Sequence, residues 1–180
     1  GLAYRGQQLL AWPIEASLWR APTENDGRRV GAEGPVGVLR SWLDAGLDRI
    51  DIRAVGARTK RRADGSVQLA LRRRLHLPGA GVDVDHRQQV VVRPDGVVVI
   101  DEELALPRDL DDLPRIGSRF EVPEDLDQLT WFGRGPGETY VDRETAEIVG
   151  RWSSPVADQY VPYVLPQEHG NHTDTRWFAL

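Results

Sequence analysis

Gln88-Gln89-Val90-Val91-Val92-Arg93-Pro94-Asp95-Gly96-Val97-Val98-Val99-Ile100-Asp101 is the stretch on which the fold turns. Two β-branched runs, the kind of side chain that suits a pleated surface, flank Pro94-Asp95-Gly96. Proline withdraws a backbone donor there, and Asp-Gly favours a reversal, so the spacing predicts a β-hairpin. Upstream, Val82-Asp83-Val84-Asp85 leads into the first arm. Before it, Val67, Leu69, Leu71, Arg73, Leu75 and Leu77 form a period-two series that stops at Pro78, and Ile50, Ile52, Ala54 and Gly56 alternate with Asp51, Arg53 and Val55. Each series reads as a half-buried strand. Downstream, Leu104-Ala105-Leu106, residues 116–122 and residues 129–132 supply further strands, separated by Pro107, Pro114 and Pro123. Turns recurring about every eight to twelve residues predict an all-β chain of mostly antiparallel sheets, a sandwich. One short helix joins them, because Val36, Val38, Leu39, Trp42, Leu43 and Leu47 recur at three- and four-residue spacing before a stop at Gly46. With no internal repeat or linker, residues 1–180 are expected to form a single domain.

Composition narrows the partners. The chain of 180 residues carries 23 Lys and Arg against 28 Asp and Glu, a net charge of −5, so it lacks the basic footprint of a nucleic-acid binder. No apolar run approaches the roughly 18 residues a membrane span needs, and no basic-then-apolar segment opens the chain. Zero cysteines exclude disulfides, thiolate zinc sites and cysteine nucleophiles. The lack of methionine, with an opening Gly1-Leu2-Ala3-Tyr4 and an apolar close at Trp177-Phe178-Ala179-Leu180, leads us to expect a piece of a larger protein, truncated at its C-terminal end.

Three dense motifs carry whatever chemistry the chain has: LWRAPTENDG (residues 18–27), WFGRGPGETYVDR (131–143) and YVPYVLPQEHGNHTDTRW (160–177). In the first, a Trp19-Arg20 pair suited to stacking and to holding a carboxylate precedes Glu24, Asn25, Asp26 and Gly27. These groups either support a ligand-facing mouth or form a self-satisfied turn network, and the second reading is the simpler. In the second motif the glycines do not follow GxGxxG, and Pro136 removes a needed amide, so a phosphate cradle is not expected. Arg134, Glu138, Tyr140, Asp142 and Arg143 beside tight turns read as a structural clamp that ties two strands together. The third motif sets Glu168, Asn171, Asp174 and Arg176 among aromatics, a mixture found both in sugar sites and in buried loop networks. Glu168, His169 and His172 share no face, so no metal is expected. Among Asp101, Glu102 and Glu103, strand alternation puts only Asp101 and Glu103 on one face, with solvent as their partner, and none of the three is expected to be catalytic. His76 and His86 have no evident task.

In this order and at these separations, the three motifs resemble the C-terminal small-chain domain of the large β-galactosidases of glycoside hydrolase family 2, whose signatures run close to WRAPTDNDxG, WYGRGPxENYxDR and YxxPQExGNRTDxRW. The likeness covers nearly the whole chain, from Gly6-Gln7-Gln8-Leu9-Leu10, expected as a strand, to Trp177. It implies a β-supersandwich of the galactose-mutarotase type and a bacterial, cytoplasmic parent enzyme that hydrolyses terminal β-D-galactosides with retention. Such an enzyme needs two carboxylates ~5 Å apart on rigid elements. In that family both belong to a TIM-barrel domain, as do the magnesium and sodium sites. The resemblance therefore implies no catalytic residue, metal or cofactor in this chain.

Its implied partners are the other domains of the same polypeptide, a galactoside substrate and a possible second copy. The implied role is to line the active-site mouth, with a mobile loop over residues 27–35, and to brace the barrel. Departures are Glu24 where Asp is usual, Gly27 one position early, Gly137 and Thr139 in place of larger or amidic residues, and His172 where Arg is usual. Two other readings stand beside this one. A carbohydrate-binding module would stack sugar on Trp131, Trp177, Tyr160 and Tyr163. A mutarotase-like enzyme would need His86 to meet Asp101 or Glu103.

Overall fold

The structure, a computed structural model, describes residues 2–28, 33–108, 110 and 112–180. Among them run β1 (Ala3–Tyr4), β2 (Gln7–Gln8), β3 (Trp12–Ser17), α1 (Gly37–Ala45), β4 (Asp51–Arg61), β5 (Val67–Leu77), β6 (Val82–Val92), β7 (Val98–Ala105), β8 (Gly117–Glu121), β9 (Gln128–Gly135), β10 (Ile148–Pro155) and β11 (Trp177–Ala179). Among the described residues the structure is all-β apart from this helix and short 3-10 turns. Contacts divide it into a helix-bearing unit, Ala16–Arg20 with Asn25–Ser118, and a loop-rich unit, Gly1–Glu15 with Ala21–Glu24 and Arg119–Leu180.

The helix-bearing unit is built on an antiparallel sheet in the order β4-β5-β6-β7. β5 occupies the residues its alternation predicts, and the hairpin closes as Pro94-Asp95-Gly96 requires. Arg93 N–H donates to Val97 O at 2.9 Å, Asp95 Oδ1 accepts from Val97 N–H at 3.0 Å, and Gly96 takes φ 88°. Leu104-Ala105 is no separate strand: β7 runs through it, since nothing between Val98 and Ala105 breaks the ladder with β6. One sheet face is apolar at one end, where Leu75, Leu77 and Val84 have no exposure. That end meets Leu39 and Trp42 of α1, together with Leu47, Ala16 and Leu18, in the core. α1 stops as expected at Gly46 (φ 81°), whose N–H donates to Leu43 O at 3.0 Å. The turn after β5 then presses on the helix end: a Cβ at Gly79 would lie 1.8 Å from Asp44 O, so only glycine fits there.

The loop-rich unit holds an antiparallel sheet in the order β10-β9-β11 and the β1-β2 pair. The strand expected at residues 6–10 shrinks to Gln7–Gln8. The second motif starts on β9, at Trp131 to Gly135, and continues into irregular backbone; the third is irregular until Trp177 on β11.

Candidate functional site

The first motif begins in the core and ends in a close approach. Leu18 is fully buried. Arg20 forms a two-pronged pair with Asp26, Nη1 to Oδ2 at 2.7 Å and Nη2 to Oδ1 at 2.9 Å, and its Nε donates to Pro114 O at 3.2 Å. The guanidinium stacks on Trp42, 5.3 Å from the ring centroid, and not on Trp19, whose own edge meets Trp42 at 6.4 Å. Asp26 and Gly27 are buried, whereas Glu24 and Asn25 face outward on a 3-10 turn. In the loop-rich unit, Glu24 N–H donates to Gln167 Oε1 at 3.1 Å. Gly27 (φ 111°) sits where a Cβ would fall 1.7 Å from Val36 O, which accounts for glycine directly after Asp26. Much of the loop expected to be mobile, residues 29–32, lies outside the described residues.

The second and third motifs meet in the loop-rich unit. Glu138, 8% exposed, accepts from Arg143 Nη2 at 2.8 Å, from Gly170 N–H at 2.8 Å and from the Tyr163 hydroxyl. Burial alone would push its carboxyl up; the Tyr163 and Gly170 hydrogen bonds and the Arg143 charge outweigh it and hold the group below its ordinary value. Thr139 has no exposure. Its N–H donates to Asn171 O at 2.7 Å, its carbonyl accepts from Asn171 Nδ2 at 2.7 Å, and its hydroxyl oxygen accepts from Thr173 N–H at 2.7 Å.

Arg134 donates to Asp174 at 2.7 Å and to the carbonyls of Glu144 and Glu147 at 3.2 and 3.0 Å. Arg176 lies over Phe132, 5.7 Å from its centroid. The clamp therefore joins one strand, β9 through Arg134, to two loops, residues 138–144 and 169–174, where two strands were expected, and Asp142 stays exposed outside it. Gly137 leaves room for Glu147: a Cβ there would sit 2.6 Å from Glu147 Oε1. The Tyr140 phenol is pushed up to about 12 by burial and then by the charges of Glu138 and Glu168, so it holds its proton at any neutral pH.

Trp131 cannot stack on a sugar, because it is 2% exposed with its ring against His172 at 4.4 Å; of the other expected platform residues, Trp177 and Tyr160 are exposed. His172 Nε2 meets Gln159 Oε1 at 2.6 Å, and burial holds this imidazole below its ordinary value. His169 Nδ1 meets Gln159 O at 3.2 Å. Among the described residues no group of three or more His, Asp or Glu is placed to hold a metal ion. No helix among them is long and apolar enough to cross a membrane.

Sequence reasoning misplaced the partner of His86. In the helix-bearing unit Leu104 lies opposite His86 and Glu102 opposite Gln88, so Glu102 shares the inner face with His86, while Glu103 turns outward to Arg87 at 3.4 Å. The nearest approach is His86 Nε2 to Glu102 Oε1, 3.8 Å. Asp101 and Glu103 thus do not meet His86, and Glu103 has Arg87 for a partner in place of solvent alone. Neither expected pairing forms.

The fold of this chain is therefore mostly antiparallel β-sheet, and each of the three motifs carries ion pairs or hydrogen bonds between its own polar groups and their neighbours. Its sequence agrees throughout with one family: the profile described as "Beta galactosidase small chain" matches residues 1–180, and the chain belongs to that family. It is 33% identical to a β-galactosidase of Priestia megaterium over 98% of its length, 31% identical to one of Vibrio cholerae over 95%, and 34% identical to one of an Arthrobacter species over 91%. In each case it spans only 16 to 17% of the relative's own length.

Proposed function

We propose that this chain is the non-catalytic small-chain domain of a retaining β-galactosidase, lining the mouth of the active site and bracing the domain that cleaves terminal β-D-galactosides. The observation that carries the reading is the engagement of three motif carboxylates: Asp26 is held by Arg20, Glu138 by Arg143, Tyr163 and Gly170, and Asp174 by Arg134. A general acid or nucleophile must instead present a free oxygen to substrate. Arg20, Glu24, Asn25, Asp26 and Gly27 would shape the mouth, and the clamp would keep its wall rigid. The residues form a single domain in this reading. Magnesium and sodium, where the enzyme uses them, are bound by residues outside this chain, which works in the cytoplasm beside the other domains of its polypeptide and, by contact, a second copy. The test compares hydrolysis of a chromogenic β-galactoside by residues 1–180 alone and by the gene product as encoded. Turnover by the encoded product and none above background by the isolated chain is the expected result; turnover by the chain alone overturns it.

A further inference from the structure

The inner face of the β4-β5-β6-β7 sheet changes character past its apolar end. Leu75 and Val84 give way to Arg73, His86, Gln88 and Glu102 on adjoining strands. His86 is 1% exposed, and neither ring nitrogen has a hydrogen-bond partner. A neutral imidazole carries one N–H and one lone pair, and groups so deeply buried ordinarily find partners for both. The nearest acceptor, Glu102 Oε1 at 3.8 Å, already takes a hydrogen bond from Gln88 Nε2. The other carboxylate oxygen accepts from Ser118 Oγ at 2.6 Å. Around the ring, β5 contributes Arg73 directly opposite, β7 contributes Leu104 and Glu102, and β6 contributes Val84 and Gln88. Arg73 and Glu102 are thus the charged groups facing it. Arg72, Asp85 and Arg87 belong to the reverse face, and with Val55 they edge a small opening that Arg73 and His86 also line.

We propose that His86 and Glu102 form a proton-operated latch that fixes Ser118, at the start of β8, to the four-stranded sheet. With the ring neutral, Glu102 is shared between Gln88 and Ser118 and the latch is closed. A proton taken from solvent makes both ring nitrogens donors and gives the ring a charge that must find its counter-ion in Glu102. The ring and carboxylate then close the gap between them, Gln88 loses Oε1, and the turning carboxylate withdraws Oε2 from Ser118. The one bond formed is the ring N–H, whose proton solvent supplies. Burial keeps the resting ring uncharged, Glu102 works against that and Arg73 with it, so the latch stays shut at neutral pH and opens below the ordinary histidine value of 6.5.

The experiment uses the gene product as encoded. Backbone amide exchange is followed at Gly117 and Ser118 between about pH 8 and about pH 5, as protection factors that remove the intrinsic pH dependence, while exchange of the imidazole C–H reports the titration of His86. The wild type is expected to lose about tenfold in protection at these two amides as His86 titrates. His86→Leu and Glu102→Gln are expected to show no acid response there. Wild-type protection that stays level while His86 titrates, or an equal acid response in His86→Leu, overturns the latch. Ser118→Ala, at an exposed position, guards against variants that fail to fold. It should show low protection at every pH with His86 still titrating, and a wild-type profile in it would also overturn the proposal.

Discussion

Glu138 and His86 are buried titratable groups with opposite surroundings. Glu138 sits among loops and takes hydrogen bonds from three directions. His86 sits on a regular strand and has no hydrogen bond to either nitrogen. The difference follows from the backbone that carries each. Loop amides such as that of Gly170 are not committed to a ladder and are free to turn toward a carboxylate, whereas strand amides are already paired, leaving a strand residue only the side chains beside it. In this chain a satisfied buried charge is the product of irregular backbone. The regular sheet leaves a buried polar ring without hydrogen bonds.

That contrast has measurable edges. Glu138→Ala removes the acceptor for Arg143, Tyr163 and Gly170 together, and urea unfolding should show a loss of about 3 kcal/mol, chiefly from the orphaned Gly170 amide and Tyr163 hydroxyl. Thr139→Val keeps the shape but strands Thr173 N–H; the expected loss is about 2 kcal/mol. His86→Leu goes the other way, because an unpartnered polar ring gives way to an apolar side chain beside Leu104 and Val84. A gain of about 1 kcal/mol at neutral pH is expected, and an equal loss would break the comparison. The smallest effect belongs to Arg87→Ala, which cuts the exposed pair with Glu103 and should move stability by under about 0.5 kcal/mol.

The pH dependence separates the two groups further. The carboxyl of Glu138 is held low, so its contribution is complete above the ordinary value of 4.5 and is lost as pH falls through its folded value. The ring of His86 is also held low, so the contribution of its neutral form is complete above 6.5 and is lost as pH falls below that. Unfolding free energies measured from pH 8 downward should therefore fall in two stages in the wild type. The upper stage should vanish in His86→Leu and the lower in Glu138→Gln.

The regular parts were the legible ones. Alternation marked β5 at its true ends, Pro94-Asp95-Gly96 marked the hairpin, and Gly46 marked the end of α1, because each signal is local. β10 escaped notice: Ile148-Val149-Gly150-Arg151-Trp152-Ser153-Ser154-Pro155 carries glycine, serines and an exposed Ile148, so it has no clean period of two. The partner of His86 was missed for a related reason. A separate strand at Leu104 leaves its inward direction unconnected to Glu102 two residues earlier, whereas the single strand Val98–Ala105 puts both on the inner face. The clamp was legible as residue types but not as pairs. That Arg143 takes Glu138 while Arg134 takes Asp174 depends on loop paths that no periodicity encodes.

The central claim is that Asp26, Glu138 and Asp174 hold structure and do not react. Under the proposed function, the most direct measurement is kcat for β-galactoside hydrolysis per folded molecule in the encoded gene product carrying Glu138→Gln, with the folded fraction taken from amide exchange. The account predicts a kcat within about twofold of wild type despite lower stability. A fall of about a thousandfold or more in fully folded protein, the size expected when a reacting group is lost, would contradict it.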